Sequence, residues 1–289
     1  MGFWLELAAS GLITGGIYAV VAIGLNLQYG LMRIMNISHG EFLMLGAYLT
    51  WLAHTTFGVN PFALMPLVAL ALFALGLVVY RLCFQRIART APAVEVIEAR
   101  SLLVGFGLMF LVQNAVYLAW GADLRGYSYL VEPVEIAGAR FQANRLAVFG
   151  FAVAASLALL ALLRWTMLGK AVRAMMQSPA GAQLVGIDTR TLHPVVFGAG
   201  LALAGVAGGL LSMVYEISPS MGEPYTVTAL IVITLGGLGS ALGSLLGGFI
   251  LGLVEAFGMH FTSPSLKMVL SYGVLVAVLL ARPKGLFSR

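Results

Sequence analysis

Six stretches of this chain contain no charged residue: 7–32, 42–80, 101–122, 146–163, 194–215 and 224–254. A helix needs about 20 mostly apolar residues to cross the roughly 30 Å hydrocarbon core of a bilayer, and these windows dominate the chain. Only 9% of the 289 residues are charged and 61% are hydrophobic, against about 25% and 45–50% in soluble domains. The sequence therefore reads as an all-α polytopic membrane protein, one transmembrane domain over residues 1–289. Its net charge of +5 comes from short basic strips between the windows, with no Lys/Arg-dense run, so topological signalling is favoured over nucleic-acid binding. The single cysteine, Cys83, excludes an intrachain disulfide and a Cys-rich metal site. Residues 1–28 lack a basic leader and a small-residue cleavage site, and read as a retained first helix.

The 42–80 window is 39 residues long, about twice what one crossing needs. Phe57-Gly58-Val59-Asn60-Pro61 breaks it, because Gly frees a turn and Pro at a helix start costs no hydrogen bond. The candidate spans are about 4–28, 37–55, 61–80, 101–120, 144–163, 194–214, 225–257 and 266–281. The positive-inside rule then orients them. One side gathers Arg33, Arg81, Arg86, Arg89, Arg100, Arg164, Lys170, Arg173, Arg190, Arg282, Lys284 and Arg289, against Arg125, Arg140, Arg145 and Lys267 on the other. Twelve against four puts the C-terminus in the cytoplasm and the N-terminus outside.

That assignment places 215–224 and 259–265 on the same side, so 225–257 must cross an even number of times. Two short helices fit if the chain turns at Gly236-Gly237-Leu238-Gly239-Ser240, giving eight to nine transmembrane helices with a broken, Gly-rich pair. Broken backbone at membrane depth is tolerated where protein or a watery cavity satisfies it. Ser38–Gly46 and Gly243–Gly252 each follow a glycine-bearing turn, as in transporters built from paired interrupted segments. Chance likeness between Gly/Leu-rich segments explains the pattern equally well.

No phosphate-binding G-x-x-x-x-G-K-[ST] loop is present, nor H-E-x-x-H, nor G-x-S-x-G. The four scattered histidines, His39, His54, His193 and His260, do not suggest a metal cluster. Neither a catalytic residue nor a metal ligand is assigned, no cofactor is expected on this chain, and the chain is not read as an enzyme.

Gly11-Leu12-x-x-Gly15-Gly16-x-Tyr18-Ala19 followed by Ala22-x-Gly24-Leu25-Asn26-Leu27 resembles the opening of branched-chain amino acid ABC transporter permeases. So do Asn36-x-x-His39-Gly40-Glu41-Phe42-x-Met44-x-Gly46-Ala47-Tyr48, Gly236–Ser240 with Gly247-Gly248, and the closing Arg282-Pro283-Lys284-Gly285-Leu286-Phe287. The four matches run in the family's order from residue 11 to residue 287, and the opening is closer to the H-type of the two paralogous permeases. The resemblance implies a half-channel working with a second permease, two cytosolic ATPases that hold ATP with Mg, and a periplasmic or lipid-anchored substrate-binding protein. It also implies a bacterial inner-membrane location and a branched-chain or other hydrophobic amino acid, or a related small compound, as substrate.

Two groups of residues stand out. On a continuous helix Asn36, His39 with Gly40, Leu43 and Ala47 share a stripe. With Gly236, Gly237, Gly239 and Ser240 they are the candidates for the translocation path or its gate. The stripe ranks Asn36 and His39 above Glu41, and the competing reading is that both merely tie down the turn after Arg33. The cytoplasmic strip 164–193 is the second group. Ser178-Pro179 is a helix start and Gly186 a C-cap, enclosing a short helix rich in small residues. By the resemblance, Arg173-Ala174, Ala182 and Gly186-Ile187-Asp188 belong to the loop that contacts the ATPase, with Ser178 standing where that family is expected to have Asn or Asp. Ser178 joins the candidate contact as the cap of the short helix, and small residues such as Ala180 and Ala182 permit close approach. Asp123, Glu132, Glu135, Glu216, Glu223 and Glu255 read as an external acidic rim, either a binding-protein dock or a solvated edge.

The rival readings are a self-sufficient secondary transporter or channel, disfavoured by the few acids at span centres, and an intramembrane enzyme built on His39 and Glu41, which diverge on a helix.

Overall fold

The computed structural model describes residues 2–136, 138–283 and 285–287; Lys284 and Arg289 of the basic count lie outside them. The order is α1 (Gly2–Met32), α2 (His39–Phe57), α3 (Pro61–Val79), a π-turn over Tyr80–Phe84, α4 (Gln85–Thr90), α5 (Val94–Trp120), α6 (Ala143–Trp165), α7 (Met167–Gln177), α8 (Pro179–Leu184), α9 (Thr189–Ser212), α10 (Gly222–Gly236), α11 (Ala241–Phe261) and α12 (Lys267–Ala281). A hairpin of β1 (Pro133–Ile136) and β2 (Ala139–Gln142) lies between α5 and α6. The sequence reading contained no strands. The hairpin caps the N-terminal end of α1, where the Arg140 amide donates to Glu6 Oε1 at 2.9 Å.

Among the described residues, seven helical segments are long and apolar enough to cross a membrane, including the α3–π-turn–α4 run. The expected break in the sixth window is present. α10 ends at Gly236, and Gly237 (φ +100°) and Gly239 (φ +86°) make the turn into α11. The pair is not symmetric, because α11 has 21 residues and α10 only 15, about 22 Å of helix. α10 falls short of the roughly 30 Å core and so does not cross it alone.

α1 and α9 form the centre, with 67% and 78% of their most apolar windows buried, against 17% for α5 and α6 and 6% for α12. Glycine permits the close packing of this centre. A Cβ on Gly15 of α1 would stand 2.8 Å from the Gly248 carbonyl oxygen of α11, and one on Gly24 would stand 2.7 Å from the Gly200 carbonyl oxygen of α9. A Cβ on Gly76 of α3 would lie 2.6 Å from Gly198 Cα of α9. In lipid no hydrophobic force presses helices together, and such backbone-to-backbone approach supplies the packing instead.

These contacts define an inverted repeat, α1–α2–α3 and α9–α10–α11. α1 and α9 run antiparallel, with Gln28 Nε2 donating to the Phe197 carbonyl at 3.2 Å. Each third helix packs against the first helix of the other repeat, α11 on α1 and α3 on α9. Each middle helix follows a turn and runs to the opposite face. α2 ends near Asn60, which accepts from the Tyr129 hydroxyl, while α10 ends at the turn against Gly30. The partner of α2 is therefore α10. The sequence comparison of Ser38–Gly46 with Gly243–Gly252 is displaced by one helix, because the latter segment lies inside α11.

Gly107 of α5 faces open space and separates packing from intrinsic helix effects. Gly248→Ala should lower the thermal unfolding midpoint of detergent-solubilised protein, by overpacking of about 1–3 kcal/mol, while Gly107→Ala leaves it unchanged or raised. Equal midpoints for the two variants would contradict the packing described.

Candidate functional site

α2 does not begin where α1 ends. The His39 Nε2 donates to the Val21 carbonyl at 3.2 Å, and Val21 lies eleven residues, about 16 Å, before the end of α1. The chain over 33–38 therefore climbs back into the bundle before α2 starts. On the other repeat, 213–221 leads to Gly222, and the two helix starts touch: a Cβ on Gly40 would collide with the Gly222 carbonyl oxygen. The Gly40 amide donates to Thr226 Oγ1 at 2.8 Å. Two positive helix ends thus meet inside the bundle, the arrangement by which interrupted helices address polar solutes at membrane depth.

Glu41 lies at this meeting point. It is completely buried, a Cβ on Gly222 would be 2.7 Å from its carboxyl carbon, and neither carboxylate oxygen has a partner among the described residues. A buried ionisable group without hydrogen bonds is costly, and within a membrane it marks function more often than packing. Glu223, the next residue on α10, is exposed. The sequence ranking is reversed here. Asn36 precedes α2, so it cannot share a helical stripe with His39, and its amide donates to Gln28 Oε1 at 3.1 Å while its Oδ1 accepts from Ser38 at 2.6 Å. His39, Leu43 and Ala47 are also fully buried, the last two against Gly208 of α9. These residues hold the re-entrant segment; His39 Nδ1 has no partner among the described residues, but Glu41 is the group whose carboxylate oxygens are both left unsatisfied. Its signal in the sequence was only that an acid stood inside a candidate span, 37–55.

The turn between α10 and α11 is held by a residue to which the sequence reading gave no separate role. Asn26 Oδ1 accepts from the Gly239 amide at 2.6 Å, and its Nδ2 donates to the Ser240 carbonyl at 3.0 Å and to Ser244 Oγ at 2.6 Å. Gly236 packs on Gly243, and the tail closes over the turn, the Leu286 amide donating to the Leu235 carbonyl at 2.8 Å. Gly239 and Ser240 face a cavity, whereas Gly236 is buried in helix packing.

Glu255 does not belong to the external rim. It is 2% exposed, accepts from the Tyr18 hydroxyl at 2.7 Å and Ser271 Oγ at 2.5 Å, and pairs with Lys267 Nζ at 3.4 Å. It joins α1, α11 and α12. Asp123, Glu132, Glu135, Glu216 and Glu223 are exposed.

The 164–193 strip contains the expected short helix. Ser178 Oγ accepts from the Gly181 amide at 3.1 Å, and Gly186 takes φ +87° so that the Ile187 amide reaches the Ala182 carbonyl at 3.0 Å. The side chains face differently from the sequence reading. Ala182 is 3% exposed and packs inward, while Leu184 and Val185 are 89% and 76% exposed. Ala182 therefore anchors α8, and the apolar tip offered outward is Leu184-Val185. Arg173 donates to the Leu163 and Arg164 carbonyls at the end of α6. Asp188 starts α9, and the Thr191 hydroxyl and Arg190 amide that it accepts from hold its carboxyl below the usual range. Among the described residues no group of His, Cys, Asp and Glu is placed to hold a metal.

A family model described as the permease component of branched-chain amino acid transport systems matches residues 7–279. The chain belongs to this family. It is 30% identical to the high-affinity branched-chain amino acid transport system permease protein BraD of Pseudomonas aeruginosa, over 99% of this chain and 96% of BraD. It is likewise 30% identical to the permease protein LivH of Escherichia coli K12, over the same shares. Identity to LivM of that organism is 25%, over 93% of this chain and 67% of LivM. No solved structure matches the chain. The permease is thus of the H-type, a membrane-spanning subunit of an ABC importer, and the self-sufficient transporter reading gives way.

Asn26→Ala strands the Gly239 amide in the turn, at about 1–3 kcal/mol for a buried unsatisfied group. Its thermal midpoint should fall, and a cysteine at Leu238 in a Cys83→Ser background should label faster than with Asn26 in place. An unchanged labelling rate would show that the turn is held by other contacts.

Proposed function

We infer that this permease carries a branched-chain or similar hydrophobic amino acid inward and that the meeting of α2 and α10 is the closed gate of its path. The observation that supports this reading is Glu41, a buried carboxylate without partners between two helix starts. A free amino acid has a cationic ammonium group and an anionic carboxylate. When the helix starts separate, Glu41 receives the ammonium and the uncapped N-terminus of α10, where Met221 offers no side-chain cap, receives the carboxylate. Gly40 and Gly222 let the gate close on backbone alone. His39 and Asn36 hold the re-entrant segment, and Leu43 and Ala47 seat α2 on α9. Gly236, Gly237, Gly239 and Ser240 form the hinge at the far end of α10.

The permease pairs with a paralogous subunit, and two cytosolic ATPases binding ATP with Mg supply the work, consistent with the lack of a phosphate loop in the chain. A binding protein delivers substrate at the other face. The surplus of basic residues at the end with Arg33, Arg164 and Arg173 supports a cytoplasmic location for that end, with the N-terminus outside. The ATPase contact is the 164–193 strip: Arg173 and Ala174 brace α7, Ser178, Ala182, Gly186 and Ile187 shape α8, and Leu184-Val185 enters the ATPase. The isolated α8 is too short to hold its shape in water, so a docking partner gives it rigidity.

Glu41→Gln should reduce uptake of leucine, isoleucine or valine by roughly thirtyfold or more, the loss expected on removing one member of a buried charged contact. ATPase copurification should stay normal. Full uptake by this variant would remove Glu41 from the path. Leu184→Asp with Val185→Asp should have the opposite profile, losing the ATPases while the permease pair stays assembled, and retention of the ATPases would remove α8 from the contact.

A further inference from the structure

A cavity of about 1300 Å³ opens where α1, α6, α7 and the α10–α11 turn meet. It exceeds the roughly 300–1,000 Å³ of sites for drug-sized ligands, and a single small amino acid would leave most of it empty. Its wall changes character along the bundle. Leu157 and Ala161 of α6 and Leu242 of α11 face it from membrane-spanning helices, and Arg33, Arg164 and Arg173 line it at the other end. None of the three arginines is paired with a carboxylate among the described residues. Arg33 lies over the Tyr29 ring at 5.3 Å and donates to the Tyr29 hydroxyl at 3.4 Å, Arg173 donates only to main-chain carbonyls, and Arg164 is exposed.

Neighbouring features fix the depth of these cations. Trp165, 75% exposed, follows Arg164 directly, and exposed tryptophans favour the headgroup layer. α7 is amphipathic, with Gly169, Val172 and Met175 turned inward and Lys170 and Arg173 outward, the pattern of a helix lying in the membrane interface. The occupant must therefore be anionic at the headgroup level and apolar below it. A water-borne protein approaching the arginines does not cover Leu157, seven residues or about 10 Å further along α6 into the membrane.

We propose that this cavity holds one anionic glycerophospholipid, its phosphate on Arg33, Arg164 and Arg173 and its acyl chains along the wall of α6 and α11. Basic pockets between helices at the cytoplasmic face suit such headgroups. The lipid then bridges α6–α7 to the α10–α11 turn through the cavity lined by Gly239 and Ser240, filling space that the chain leaves empty.

The test is native mass spectrometry of the permease purified with its transporter subunits, delipidated and titrated with phosphatidylglycerol or phosphatidylcholine of identical acyl chains. One phosphatidylglycerol should be retained in preference to phosphatidylcholine. Arg33→Gln with Arg164→Gln should weaken that retention roughly thirtyfold, from the loss of two interfacial cations. Leu157→Trp, which fills the apolar end and leaves the charges, should reduce retention of both lipids with the ATPases still bound. Equal retention of the two lipids by the unaltered protein would overturn the proposal. So would displacement of the lipid by inorganic phosphate alone, or loss of the ATPases rather than the lipid in the double variant. Should the double variant fail to assemble, unchanged lipid retention by Leu157→Trp would overturn it as well.

Discussion

The bundle depends on main chain lying directly against main chain. Where α1 crosses α11 and α9, and where α9 crosses α3 and α2, glycines let carbonyl oxygens approach to distances that a methyl group would occupy. This close contact compensates for the missing hydrophobic drive between helices in lipid. It also allows two helix starts to meet inside the bundle, since Gly40 and Gly222 touch with nothing between them. Glu41 stands at this contact with neither carboxylate oxygen partnered among the described residues.

Polar groups within the bundle divide into two kinds. Asn26, Gln28, Asn36 and Glu255 are buried and fully engaged, each joining elements that neither charge pattern nor periodicity would bring together. They act as fasteners, fixing the turn, the re-entrant segment and the seat of α12. Glu41 and the exposed Glu223 beside it on α10 are of the other kind, acids near the meeting point of the helix starts that are not consumed by the fold. A path for a zwitterion needs groups of this second kind held in place by the first.

Much of this architecture is legible in one dimension because charge is nearly absent from the windows. Most spans follow from that, with Gly58 and Pro61 needed to divide the 42–80 window, and the break at Gly236–Ser240 follows from the parity of the charged loops. Depth is what the sequence does not encode. Residues 33–38 look like an ordinary loop, and only the bond from His39 to Val21 reveals that they re-enter the bundle. Glu255 stands near a helix end and looks like a surface acid, yet Tyr18 and Ser271 from two other helices cover it. Ala182 lies in a six-residue helix, too short for periodicity to indicate its inner face. The hairpin of Pro133–Ile136 with Ala139–Gln142 went unseen because four-residue strands carry little alternation.

The exchange of third helices between the repeats has a consequence for biogenesis. Translation delivers α1–α3 long before α9–α11, yet the glycine face of α1 is built for α11, and that of α3 for α9. Neither repeat can complete itself, so the first must wait in the bilayer with bare glycine seams while more than a hundred further residues are inserted. Assembly becomes a late, concerted closure rather than a progressive one. During that interval the unfinished half presents a clear target for membrane quality control, and a chain truncated after α8 would remain one permanently.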